Sequence, residues 1–144
     1  MKIEVIVKVD GREVLNQTIT EESEKKSDSS YSQYARYFDE SCSVWEKDPE
    51  QNLMYLKQQE NFMNMKLKAK GHLFLNEVYS ALGIPESKAG QLVGWIYDEE
   101  NPIGDNYVDF GIFNTEKNAP FVNGYKNSIL LDFNVDGNIL DKLN

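Results

Sequence analysis

The sequence predicts an α+β domain: an N-terminal β-hairpin, two or three central helices, and a C-terminal antiparallel or mixed sheet of three to four strands packed on the helices. Three observations carry this expectation. Apolar residues alternate near the start of the chain, recur at spacings of three and four in its middle, and return as β-branched and aromatic runs toward its end. Strands segregated from helices and joined by hairpins argue against a doubly wound α/β fold. At 144 residues, 40% hydrophobic and 27% charged, the chain is long and apolar enough for one domain, 1–144, with its own core.

Ile3, Val5, Val7 and Val9 alternate with Glu4, Lys8 and Asp10, and Asp10-Gly11 supplies a two-residue type I′ turn. Val14, Thr18 and Ile19 continue on the far side, so a hairpin is expected over 2–20. Residues 21–30, EESEKKSDSS, have no periodicity and read as a polar linker. A helical segment is expected over 31–83. In its first part Tyr31, Tyr34, Phe38, Cys42 and Trp45 fall on one stripe of an amphipathic helix that ends before Asp48-Pro49.

Asp48 is placed to cap a second helix, with Pro49 at its first position and Gln51 where a capping-box residue reaches back. Leu53, Leu56, Met63 and Leu67, then Leu75, Val78, Tyr79 and Leu82, form apolar faces, interrupted by Glu60 and separated by Gly71. Either one helix bends near Gly71 or two helices meet there, since glycine costs about 1 kcal/mol against alanine inside a helix. Gly83 and Pro85 give the stop. A β-rich segment follows over 91–144, with strands expected at Gln91–Tyr97, Tyr107–Phe113 and Ser128–Val135 and a long hairpin loop, Asp98–Asn106, between the first two. Asp136-Gly137 repeats the turn signature, after which Ile139, Leu140 and Leu143 pair back or dock as a last half-turn.

Fifteen Lys and Arg stand against 24 Asp and Glu, a net charge of −9. The first 70 residues hold 11 basic against 13 acidic side chains and the remainder 4 against 11, so the second half carries most of the charge. Such a surface disfavours direct nucleic-acid binding, which relies on Lys and Arg displacing counterions. Cys42 is the only cysteine, so no intrachain disulfide forms. No apolar run is long enough to cross a bilayer and the N-terminus lacks a signal-peptide core. A cytoplasmic protein without membrane contact is expected.

Chemistry-bearing residues are few. His72 stands alone beside an apolar run, and Cys42 lies on an apolar stripe with no histidine near it in sequence; for both, a packing role is expected before a catalytic one. Gly90 and Gly94 match neither phosphate-loop nor dinucleotide patterns, and Gly94 within a strand marks a bulge or a close backbone approach. No cofactor is called for. Asp98, Glu99, Glu100, Asp105 and Asp109 place five carboxylates in a short span without Lys or Arg, a set that suits a solvated loop, a basic partner or a divalent cation, although its spacing matches no EF-hand. Trp95 and Tyr97 share one face of their strand and Ile96 the other. Both faces covered would make the strand central to its sheet; the alternative is an exposed partner-binding platform of Trp95, Tyr97 and Tyr107.

The runs GHLFLNEVYSALGIP, SKAGQLVGWIYDEENPIGDNYVDFGI and FVNGYKNSILLDFNVDGNI resemble an uncharacterised family of small proteins associated with bacteriophages and mobile elements of Gram-positive bacteria. The likeness covers roughly the C-terminal two-thirds. It implies a phage-like context and carries over no catalytic residue, ligand or partner.

The function expected first is therefore a non-enzymatic interaction, assembly or regulatory protein of a phage or mobile element, with a protein partner, basic where it meets the acidic loop, and with self-association open. The alternatives are a metal-dependent enzyme or divalent-cation binder using the acidic loop, and an acidic mimic of nucleic acid.

Overall fold

A computed structural model describes residues 31–113 and 116–143. The chain divides into two units, Met1–Gln33 and Tyr34–Asn144, and the architecture is that of the second. The hairpin expected over 2–20 and the linker over 21–30 lie outside the described residues.

The elements in chain order are β1 (Arg36–Phe38), α1 (Pro49–Lys70), β2 (His72–Phe74), α2 (Leu75–Ala81), β3 (Val93–Ile96), α3 (Ala119–Val122), β4 (Ile129–Leu131) and β5 (Gly137–Asn138), with short 3₁₀ turns at Ala89–Gln91, Glu116–Asn118 and Leu140–Lys142. The fold class is α+β. The strands form two small antiparallel sheets, β1-β4 and β2-β3-β5.

α1 begins as its sequence dictates. Asp48 accepts a hydrogen bond from Glu50 N–H at 3.0 Å and Pro49 occupies the first turn. Asn52, buried one turn in, accepts from Glu46 N–H at 2.9 Å and donates to the Glu46 carbonyl at 2.7 Å, which fixes how the chain enters the helix. Leu56, Met63 and Leu67 carry the inner face into the core. The helix ends at Gly71, whose φ of +83° favours glycine and whose N–H bonds the Leu67 carbonyl at 2.7 Å.

A strand, neither a bent helix nor two helices in direct succession, follows Gly71. β2 pairs with β3 through His72↔Ile96, Leu73↔Trp95 and Phe74↔Gly94. A Cβ at Gly94 would run into the Leu73 carbonyl oxygen, so the close approach expected there is what glycine provides. β5 covers the other edge of β3, all of whose residues are buried, so the strand is central to its sheet. α2 then starts with Glu77 accepting from Phe74 N–H at 2.9 Å. Lys66 and Lys70 of α1 reach the Glu77 carboxylate at 2.8 and 3.6 Å and tie the two helices together. Burial alone would push that carboxyl up, but the hydrogen bonds from Lys66 and Phe74 and both lysine charges outweigh it and hold it below its usual range.

Two further elements differ from expectation. The stripe from Tyr31 to Trp45 is not a helix: Arg36–Phe38 is extended and pairs with β4, and turns follow. Asp39 takes the Ser41 N–H at 2.9 Å and hydroxyl at 2.6 Å, a local competitor of the helical ladder, and Phe38 reaches the core from a strand while Tyr37 faces outward. Tyr107–Phe113 is likewise no ladder strand, for reasons that belong to the site below. The tail docks as a half-turn, with Ile139 buried ahead of Leu140–Lys142.

Trp95, Tyr79, Phe38, Phe110 and Phe121 are the largest fully buried side chains. Phe133 meets Tyr79 and Phe110 edge-on, with ring centroids 5.7 and 5.5 Å apart, and joins the helical and β-rich halves of the core.

Candidate functional site

The five carboxylates of the acidic loop go to different places. Asp98 accepts from Glu100 N–H at 3.1 Å and Asn101 N–H at 3.0 Å, closing a turn on itself. Glu99 accepts the Tyr97 hydroxyl at 2.7 Å. Asp105 accepts from the Asn134 amide at 2.9 Å, and Asp109 from Gly111 N–H at 2.8 Å. Glu100 is exposed. Asn106, at φ +65°, closes the loop by accepting from Asp98 N–H and donating to the Asp98 carbonyl, both at 3.1 Å. Among the described residues no three His, Cys, Asp or Glu side chains stand together as a metal-binding group.

Asn134, which drew no notice in the sequence, organises this region. Its Oδ1 accepts from Trp95 Nε1–H at 2.9 Å and Asp109 N–H at 2.7 Å, and its Nδ2 donates to Asp105 at 2.9 Å and to the Tyr107 carbonyl at 3.0 Å. The full capacity of the side-chain amide is used.

Asn64 of α1 plays the same part beside it, accepting from Val108 N–H at 2.7 Å and donating to the Val108 carbonyl at 3.0 Å. Glu60, the residue that interrupts the apolar stripe, accepts from Phe110 N–H at 2.8 Å. Burial pushes the Glu60 carboxyl up, the Phe110 N–H partly opposes this, and the neighbouring Asp109 charge adds to it. The segment from Tyr107 to Phe113 thus has its backbone partnered largely by side chains, which is why it is extended without being a strand. Glu60, Asn64, Tyr107, Val108, Asp109 and Phe113 line a shallow cleft of about 340 Å³.

Trp95 is wholly buried and its indole N–H is spent on Asn134, so it offers no ring to a partner, and the three-residue platform does not exist. Tyr97 is half-buried, with the Lys68 ammonium 5.9 Å from its ring centroid, and Tyr107 is exposed at the cleft. His72 is half-buried and packs edge-on against Phe74 at 5.8 Å. Cys42 is buried, its thiol directed at the Tyr37 carbonyl at 3.6 Å; burial pushes the thiol up and keeps it protonated.

The feature without an internal use lies on α1. Opposite its core face, Met54, Phe62 and Met65 are 52%, 53% and 68% exposed. At about 100° of turn per residue, Met54 and Met65 share a line, with Phe62 about 60° to one side of Met65 and Ala69 continuing it by one turn. α1 therefore carries apolar side chains on two opposite faces, which blurs the amphipathic pattern in its sequence. One face is the core of this domain; the other meets no described residue that covers it.

No helix of the described residues is long and apolar enough to cross a membrane. No curated protein and no solved structure matches the chain. One family model does match, over residues 4–143, so the likeness runs nearly the whole length and is not confined to the C-terminal two-thirds. On that match the chain belongs to a family of unknown function, DUF6353.

Proposed function

We propose that this chain is a non-enzymatic assembly protein that acts by binding another protein surface through the outer face of α1. The observation that carries this reading is the second apolar face: three large side chains more than half exposed on one side of a 22-residue helix whose other side is core. A helix bearing exposed methionine and phenylalanine is a familiar docking element, because the helix fixes the spacing of its anchors while flexible methionine side chains adapt to the partner. The polar groups that would suit an enzyme are otherwise engaged. The thiol of Cys42 is buried and protonated, and four of the five loop carboxylates hold donors of their own chain. The resemblance of the sequence to phage and mobile-element proteins supplies the proposed setting.

The test is a photo-crosslinking residue placed at Met65 of the full chain in the cell, with a second variant carrying it at exposed Glu86. An adduct of protein mass at 65 and not at 86 is expected. Equal labelling at both positions, or none at either, would contradict the reading.

A further inference from the structure

We infer that the occupant of the outer α1 face is a second copy of this chain, docked antiparallel along the same helix. This rests on the assembly reading above and goes further by naming the partner. In a two-fold antiparallel contact, a residue at one height and angle on the helix meets the residue at the mirrored height and the same angle on the other copy. The face of α1 is self-complementary by that rule about a point between Gln59 and Glu60.

Met54 and Met65 stand equally far from that point and within about 20° of each other around the axis, so each meets the other across the dimer. On one flank Glu50 and Lys68 share an angle, and Glu50 of one copy faces Lys68 of its partner at both ends of the contact. On the opposite flank Gln51 falls against Ala69, and Phe62 against Gln58, whose aliphatic stem covers the ring. Methionine thus meets methionine on either side of a polar centre formed by exposed Gln58 and Asn61, and opposite charge meets opposite charge at the ends. Met54, Phe62 and Met65, with Glu50 and Lys68 at the ends, are exposed in the single chain. Lys68 is also held at its flank by the Tyr97 ring, 5.9 Å from its ammonium.

A parallel two-fold exchanges the flanks and places Glu50 against Gln51 and Lys68 against Ala69, so the opposite-charge pairs form only in the antiparallel sense. A contact along one helix lies near the lower limit of specific interfaces, about 1,000 Å², and the expected affinity is on the order of micromolar.

Sedimentation of the full chain at ~100 μM tests this, with the 16.6 kDa of one chain as the reference. A mass approaching twice that value is expected, with Met65→Glu weakening association by on the order of a hundredfold. Glu50→Lys and Lys68→Glu each weaken it roughly tenfold and together restore it, because the reversed pair meets again across the two-fold. A single-chain mass at that concentration, or charge reversals whose losses add instead of cancelling, overturns the antiparallel dimer. In a Cys42→Ser background, mixing Met54→Cys with Met65→Cys chains gives a disulfide-linked pair, while Met54→Cys alone does not link to itself. A monomer whose residue-65 photo-adduct contains a different protein overturns the second copy and leaves the assembly reading standing. A monomer whose adduct forms within one chain overturns both.

Discussion

The acidic loop and the outer face of α1 are opposites in how their chemistry is used. The loop draws the eye in the sequence, yet its carboxylates and amides are consumed in holding its own backbone: Asp98 closes a turn, Asp105 and Asp109 serve Asn134 and Gly111, and Asn106 staples the two ends. The α1 face looks unremarkable in the sequence and leaves three large apolar side chains in water. A cluster of reactive types marks a binding surface only when its valences remain open, and here the open valences are apolar.

That contrast breaks most readily at Asn134. Asn134→Ala strands the Trp95 indole N–H, the Asp109 N–H and the Tyr107 carbonyl together, and a loss of about 3 kcal/mol in urea unfolding is expected. Asn134→Asp keeps the acceptor, loses both donors and sets a charge against Asp105, and falls between the two.

At Glu60 charge and hydrogen bonding act in opposite directions. Glu60→Ala leaves Phe110 N–H without its acceptor and costs about 1.5 kcal/mol, whereas Glu60→Gln keeps an acceptor and removes a charge beside Asp109, with no loss at neutral pH. The sign of the pH dependence follows from the directions of the shifts. Glu60, like Asp136, is pushed up by burial, so its ionised form costs stability above the raised value and the cost is relieved as pH falls toward the ordinary one. Glu77 is held down, so it contributes stability above its ordinary value of 4.5 that is lost as pH falls through the lowered one. Acid titration of Glu77→Gln against the parent therefore shows the parent losing its advantage at low pH, while Glu60→Gln converges on the parent there.

Smaller effects are expected where valences are closed or unused. Ca²⁺, Mg²⁺ and Mn²⁺ leave the melting temperature unmoved, because four of the five loop carboxylates already hold donors of the chain; a rise with any of them points to a cation site in the loop. Met54→Lys, measured in dilute protein, changes stability by no more than about 0.5 kcal/mol.

Much of the fold was legible in the sequence, and the failures share a cause. Asp48-Pro49 started a helix and Gly94 allowed two strands to touch, each through backbone chemistry local to a few residues, whereas the strand after Gly71 was not expected. Tyr31–Trp45 and Tyr107–Phe113 were misread because their conformations are fixed at a distance: the first by pairing with β4, the second by Glu60, Asn64 and Asn134. Asparagine at scattered positions carries no periodic signal, and only the fold brings its amide to another segment's backbone. Glu60 was visible as a break in an apolar stripe, a clue that it had a polar task inside.

The dependence of the urea midpoint on protein concentration, compared between the parent chain and Met65→Glu, tests the division between core face and docking face most directly. The parent midpoint should rise with concentration while that of Met65→Glu stays flat, and the two should meet in dilute solution. A Met65→Glu chain less stable than the parent at every concentration would show that the outer face belongs to the fold itself, and would contradict the account.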